Sequence, residues 1–364
     1  VKINFVLPHA GLTGGIRVCA IYADHLQRRG HEVYCVSVPR RDLSLYVKAK
    51  NMIQGKPWKR ELRGPSHLDS VPHVKHTCVE TFRPILDSDL PDADVCLATW
   101  WETAEWVAKL SPHKGVKLHL VQHDETQMSN QQVERVEATW RLPLQRVVVA
   151  RWLADLGRDR YGVNNIAVVP NGVDPAQFNA PPRTKQRVPT VGMMYSPIYF
   201  KGCDVAIEAF KIARNNIPNL RLIAFGTEYP TAEMPLPEGT EFHRRPEQHL
   251  LKNIYASCDA WLFSSRSEGF GLPILESMAC RTPVIGTPAG AAPELINEGG
   301  GWLVKPQDAI DMAIAIERVA RLGDRDWQEE SEAAARTAAS HTWEKSVDRF
   351  EEFLQNNLRR GKAA

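Results

Sequence analysis

The sequence is short of several things, and each shortage closes a class of functions. Its seven cysteines (Cys19, Cys35, Cys78, Cys96, Cys203, Cys258 and Cys280) are scattered, odd in number and free of any Cys-x-x-Cys pair. That argues against a disulfide framework or a zinc ribbon and fits a reducing compartment. No uninterrupted apolar run approaches the ~18–20 residues of a membrane span. The formal net charge of the 364 residues is only +2, too small to point to nucleic acid as a partner. The chain opens on a strand pattern without the basic-then-apolar signature of a secretion signal, so the expected location is cytoplasmic. There is no internal repeat, no low-complexity tract and no Gly-x-Gly-x-x-Gly dinucleotide fingerprint.

What is present is an α/β alternation of a length that suits two domains. Strand patterns at Ile3–Leu7, Val33–Val38, Val95–Ala98, Lys117–Gln122, Val147–Ala150 and Ile166–Val169 alternate with helical ones such as Ile16–Arg29 and Trp152–Arg160. Such alternation predicts a parallel, doubly wound sheet. The rhythm breaks at Pro170–Asn171–Gly172–Val173–Asp174–Pro175 and a proline-rich polar stretch, Ala180–Pro189, which reads as a linker. A second alternation follows, with strands at Thr190–Met194, Leu220–Phe225, Glu241–His243, Ala260–Ser264, Val284–Gly286 and Trp302–Val304, and closing helices through Glu344–Arg359. Expected domains are 1–172 with the last helix, about 344–364, and 173–343. Ligands of doubly wound sheets sit at strand carboxyl ends, so the glycine loops of the two domains are expected to face each other across a cleft.

The densest chemistry lies in Ser264–Glu276. Glu268 and Glu276 bracket a loop with seven residues between them, containing Gly269, Phe270, Gly271 and Leu272. A strand enters it and a helix with an early Pro273 leaves it. Backbone N–H groups at a helix start bind phosphate, and flanking carboxylates accept hydrogen bonds from sugar hydroxyls. The combination suggests a nucleotide-sugar site. Gly14–Gly15 follows the first strand and Lys201–Gly202 follows the first strand of the second half. A lysine beside the positive end of a helix is misplaced electrostatically unless it faces an anionic ligand.

These residues, with His123, the run Val169–Asp174, Pro283–Val284–Ile285 before Gly290 and Glu294, and His341–Thr342–Trp343–Glu344, resemble in order and spacing the retaining GT-B glycosyltransferases of glycosyltransferase family 4, the group 1 transferases. The resemblance implies the GT-B fold: two Rossmann-like domains facing across a cleft, an acceptor-side first domain, a donor-binding second domain and a C-terminal helix crossing back. It implies transfer of a sugar from a nucleoside-diphosphate donor to a glycan or lipid-linked acceptor with retention and without a metal or other cofactor. By family analogy the product is a bacterial surface polysaccharide or glycoconjugate. Glu276 would chelate the ribose hydroxyls, and Glu268 with the amides of Gly269, Phe270 and Gly271 would hold the transferred sugar. Lys201 would neutralise the diphosphate, Gly15 would approach it, and His123 would orient a sugar hydroxyl, making Glu268, Lys201 and His123 the catalytic set. Arg245 is a candidate for the base, while Trp101 and Asp124 are candidates for the acceptor.

One departure stands out. The family's Gly-Arg-Leu is Gly192–Met193–Met194 here, so the second diphosphate cation must come from Arg17, from Arg266 or from further backbone N–H groups. Asp92–Ala93–Asp94 matches a metal-binding pattern but precedes its strand, at the wrong end for a ligand. Asp124 either orients His123 or reaches the acceptor. Arg40–Arg63 carries Arg40, Arg41, Lys48, Lys50, Lys56, Lys59, Arg60 and Arg63 among apolar residues. It reads equally as a solvated insertion or as a docking surface for an anionic membrane, which would place the chain at the inner face. The competing reading from another class is a non-catalytic nucleotide-sugar binding protein on the same fold.

Overall fold

In the computed structural model, residues 1–42, 45–55, 64–128 and 132–363 are described. The expectations for Lys56, Lys59, Arg60 and Arg63 lie outside them. The chain divides into two compact units, the first comprising Val1–Val149, Leu153–Val169 and Val347–Ala364, the second Ala150–Trp152 and Pro170–Ser346.

In chain order the first alternation is β1 (Lys2–Leu7), α1 (Gly14–Arg28), β2 (Glu32–Ser37), α2 (Leu45–Ile53), β3 (Lys75–Cys78), β4 (Val95–Ala98), α3 (Trp101–Val107), β5 (Val116–Val121), α4 (Val133–Thr139), β6 (Gln145–Val148), α5 (Arg151–Tyr161) and β7 (Ile166–Val168). The seven strands form one parallel sheet in the order β3-β2-β1-β4-β5-β6-β7. Central strands such as β4 are buried at every position, as a parallel sheet covered on both faces requires. The strand β3, Lys-His-Thr-Cys, was not expected from the sequence. It is an edge strand with no fully buried residue, so no apolar signal marks it.

The second alternation runs β8 (Thr190–Tyr195), α6 (Cys203–Asn216), β9 (Arg221–Gly226), β10 (Glu241–Arg244), α7 (Leu251–Ala256), β11 (Ala260–Phe263), α8 (Leu272–Ala279), β12 (Val284–Gly286), α9 (Ala292–Glu298), β13 (Gly301–Leu303), α10 (Ala309–Arg321), α11 (Asp324–Ser340) and the start of α12 (Trp343–Ala363). Its six strands are parallel in the order β10-β9-β8-β11-β12-β13. Val191, Met193 and Tyr195 of β8 share a core with α6 and α10, the period-2 face of a strand meeting helical apolar stripes.

Two sequence signatures meet inside this unit. Val173 N–H donates to His341 O at 2.9 Å and Trp343 N–H to Val173 O at 3.3 Å, a short bridge between Val173 and Thr342. A Cβ on Gly172 would lie 2.3 Å from the Thr342 carbonyl carbon, which is why glycine stands there. The rest of α12 belongs to the first unit. Phe350 is fully buried with its ring 4.8 Å from Tyr22, burial that contributes about 1.5–3 kcal/mol. Arg29 reaches Asp348 at 2.7 Å, and His31 reaches Glu351 at 2.7 Å.

Candidate nucleotide-sugar site

Strand order reverses between β8 and β11 in the second unit, because β9 and β10 lie on one side and β12 and β13 on the other. The crevice outside such a reversal is where doubly wound sheets bind ligands. The loop after β8 carries Lys201 and the loop after β11 carries Glu268. Lys201 Nζ donates to Glu268 Oε1 at 2.6 Å, with the two side chains 21% and 12% exposed. Ser265 Oγ donates to the same carboxylate oxygen at 2.9 Å. Thus the two residues expected to hold diphosphate and sugar are brought together and held in a part-buried, charge-assisted pair.

Several contacts fix these loops to each other. Arg266 N–H donates to Phe200 O at 2.8 Å and Ser264 Oγ to Lys201 O at 3.3 Å. The Arg266 guanidinium donates to Tyr199 O at 2.7 Å and in bidentate fashion to Asp204 at 2.8 and 2.6 Å. That fork holds the Asp204 carboxyl below its usual range, the Arg266 hydrogen bonds being the main cause. Arg266 is therefore committed to bracing the Lys201 turn. Met193, where the family pattern has arginine, is 1% exposed and packed with Tyr195 and Cys203 in the core.

Gly271 caps α8 with a φ of 94°, and a Cβ there would lie 2.9 Å from the Phe263 ring. Phe270 is buried, its carbonyl accepting Ala291 N–H at 2.9 Å, and Gly269 O accepts the Trp152 indole N–H at 2.9 Å. Leu272 opens α8 and is half-buried. One turn into α8, Glu276 is 5% exposed and its Oε2 accepts the Tyr255 hydroxyl at 2.8 Å. Arg245 follows β10 with φ 46° and an exposed side chain, and its Nε donates to Thr227 O at 3.0 Å.

In the first unit the order reverses between β1 and β4. Gly14 and Gly15 open α1 just after β1, with Gln122 beside them: a Cβ on Gly15 would lie 3.4 Å from Gln122 Nε2. The next residue, His123, is buried, and its Nδ1 lies 2.9 Å from Asp124 O. A carbonyl only accepts, so Nδ1 carries a proton in that contact. The Asp124 carboxylate does not orient the histidine. It accepts Thr126 Oγ1 at 2.6 Å and Thr126 N–H at 3.2 Å, capping the following turn, as aspartate does locally. Trp101, expected near the acceptor, is 4% exposed and lies under the Arg135 guanidinium, 4.7 Å from the ring centroid. Its sequence neighbour Trp100 is half-buried. Asp92 pairs with Lys114 at 2.9 Å, and Asp94 Oδ2 accepts Lys2 N–H at 2.8 Å, at the amino end of β4.

Residues 178–360 match the family of glycosyl transferases, group 1, and residues 13–177 match glycosyltransferase family 4. The chain belongs to the group 1 glycosyl transferases. A D-inositol 3-phosphate glycosyltransferase of Mycobacterium bovis is 36% identical over 107 residues, covering 28% of this chain and 22% of that protein. The chain thus spans about a fifth of the length of the curated relatives it matches. Among solved structures, sucrose-phosphate synthase from Thermosynechococcus elongatus superposes with a TM-score of 0.70 at 17% identity, over 98% of both chains. The HepE protein of Anabaena in complex with UDP does so with a TM-score of 0.73 at 16% identity, over 98% of this chain and 100% of that one. These likenesses establish the GT-B fold, with its two Rossmann-like domains.

Three residues of this group 1 family member escaped the sequence reading. Tyr255 and Trp152 meet Glu276 and Gly269 from 21 and 117 residues away, and no local pattern announces such contacts. Glu125 sits in a polar run that reads as loop. It is nevertheless 5% exposed, and its Oε2 accepts Trp101 N–H at 2.6 Å. Burial pushes its carboxyl well above the usual range, with Asp124 and Glu102 adding to the rise.

Proposed function

We propose that this protein transfers a glycosyl group from a nucleoside-diphosphate sugar to an acceptor hydroxyl with retention of anomeric configuration. The observation that carries the reading is the Lys201–Glu268 pair, 2.6 Å apart at the strand reversal of the second unit. When donor enters, the lysine is placed for the diphosphate and the glutamate for the sugar. The carboxylate stabilises the positive character that develops at the anomeric carbon, and the lysine the negative charge of the leaving phosphate. Glu276 takes the ribose hydroxyls, and the loop amides from Gly269 to Gly271 the remaining polar atoms. Gly15 and His123 are assigned to the diphosphate and a donor-sugar hydroxyl, and Arg245 to the base. The leaving phosphate accepts the acceptor's proton as the new glycosidic bond forms on the same face, so no metal and no protein nucleophile is invoked. A structural neighbour named as a UDP complex supports a nucleoside diphosphate. The product is assigned to a bacterial glycoconjugate or surface polysaccharide.

The test is release of nucleoside diphosphate from a panel of donor sugars, with and without extracts containing glycan or lipid-linked acceptors. Turnover by the wild type that is lost in Glu268→Ala supports the reading. Tight donor binding with no turnover under any condition would instead establish the non-catalytic binding protein. One observation favours that alternative: Met193 is buried and Arg266 is held by Asp204, which leaves Lys201 without the family's second cation at these two places.

Tyr46, Met52 and Ile53 of α2 are 77%, 66% and 88% exposed, alongside the exposed Lys50, while Lys48 Nζ is paired with Asp42 at 2.6 Å. We propose that this helix docks on an anionic membrane, its apolar residues entering the interface and Lys50 meeting headgroups. No helix among the described residues is long and apolar enough to cross a membrane. Co-sedimentation with phosphatidylglycerol vesicles, abolished by Met52→Ser with Ile53→Ser, is the expected result, and absence from the pellet at low salt contradicts it.

A further inference from the structure

Tyr255 belongs to α7, outside every loop discussed so far, yet its hydroxyl ends on the carboxylate assigned to ribose. The residue is fully buried, and the O–H donates to Glu276 Oε2 at 2.8 Å. Its ring has little room to move. The Trp261 ring meets it edge-on at 4.5 Å, Phe225 at 5.8 Å and Phe178 at 6.1 Å, all between centroids. Phe225 and Trp261 come from β9 and β11, the strands on either side of β8. Packing alone needs only an aromatic ring at this place; the hydroxyl adds a donor that is anchored by the sheet rather than by α8. A carboxylate has about four acceptor sites and the phenol occupies one of them. The bond thereby restrains the rotation of the Glu276 carboxylate on α8, favouring one of its staggered rotamers.

Resting on the reading of Glu276 as the ribose ligand, we propose that Tyr255 is the positioning residue that makes the site select a ribonucleotide. A carboxylate held at one angle presents its acceptor lone pairs to a vicinal diol. A freely rotating one does so only part of the time and binds more weakly, because the ordering is then done during binding. The role belongs to the hydroxyl alone, so removing it should weaken recognition of the diol and leave the rest of the donor site intact.

The experiment measures calorimetric affinities of wild type, Tyr255→Phe and Glu276→Ala for UDP, GDP, ADP and CDP and for the 2′,3′-dideoxy form of each. For the base that binds, Tyr255→Phe should weaken the ribonucleotide about 10-fold, leave the dideoxy form within about 2-fold, and melt near the wild type without ligand. Equal losses for both forms would mean a merely structural role and overturn the inference. Unchanged ribonucleotide affinity in Tyr255→Phe, with a clear loss in Glu276→Ala, would overturn it while leaving the ribose assignment standing. An unchanged Glu276→Ala, or no binding of any nucleotide, would remove the ribose assignment and the inference together.

Discussion

Replacing Gly202 by alanine tests whether the contact between the two loops is what assembles the Lys201–Glu268 pair. Gly202 has a φ of 62°, and an added Cβ would lie 2.0 Å from Ser264 O and 2.9 Å from its carbonyl carbon. An ordinary contact begins near 3.4 Å, so the loops after β8 and β11 must part by about 1.4 Å. The left-handed backbone itself costs alanine about 1 kcal/mol. Separation strains the Arg266–Phe200 and Ser264–Lys201 hydrogen bonds, each contributing about 1 kcal/mol. A total loss of about 2–4 kcal/mol corresponds to a melting point roughly 5–15 °C lower for a domain of this size. The Lys201–Glu268 separation of 2.6 Å would open toward 4 Å, beyond ~3.2 Å hydrogen-bond reach. Misplacement of a catalytic group by about 1 Å costs on the order of 10²-fold in rate. Calorimetric melting and nucleoside diphosphate release from donor sugar read the two effects. A variant that melts and turns over like the wild type would refute the reasoning, since the close approach would then have no consequence.

Lys201→Ala should lower kcat by about 10²–10³-fold with a melting point near the wild type, read by the same release assay. Asp204→Asn should free Arg266 from its bidentate partner, loosen the turn at Tyr199–Lys201 and cut turnover roughly tenfold; unchanged kinetics would show that the turn needs no brace. Burial, with Arg146 nearby, pushes the His119 imidazole from 6.5 down to about 3. The unfolded chain takes up that proton below about pH 6.5 while the folded chain waits until about pH 3. This stability is therefore fully present above pH 6.5 and lost as pH falls, by about 2 kcal/mol at pH 5. Urea unfolding of wild type and His119→Gln at both pH values should show the difference. Glu125, raised by burial, acts oppositely, losing stability as pH rises, so only the contrast between the two proteins isolates His119.

The order of strands and helices was legible because buried parallel strands write themselves as apolar runs, as at Val95–Ala98 and Ala260–Phe263. The edge strand Lys75–Cys78 was not, since its exposed residues leave no pattern. Glycine spacing and strand-to-helix transitions singled out Lys201, Glu268 and the glycine loop as candidates, and the two charged side chains meet at 2.6 Å. Their bracing was not readable. Arg266 looked available for phosphate, yet it is consumed by Asp204, 62 residues away in sequence. Asp124 looked like a partner for His123 and is one only through its main-chain carbonyl, while its carboxylate accepts from Thr126 two residues on. Tyr255 was invisible for the same reason: which buried hydroxyl meets which carboxylate is decided by tertiary packing, and packing has no short-range signature.

The second unit is proposed to bind a nucleoside diphosphate at its strand reversal, between Lys201 and Glu276. Isothermal titration of UDP, GDP, ADP and dTDP into the intact chain tests it most directly. One-to-one binding of one preferred base is expected, weakened at least tenfold in Lys201→Ala, which removes the cation proposed to meet the diphosphate. No binding of any of the four by a folded protein, or binding indifferent to Lys201, would contradict it.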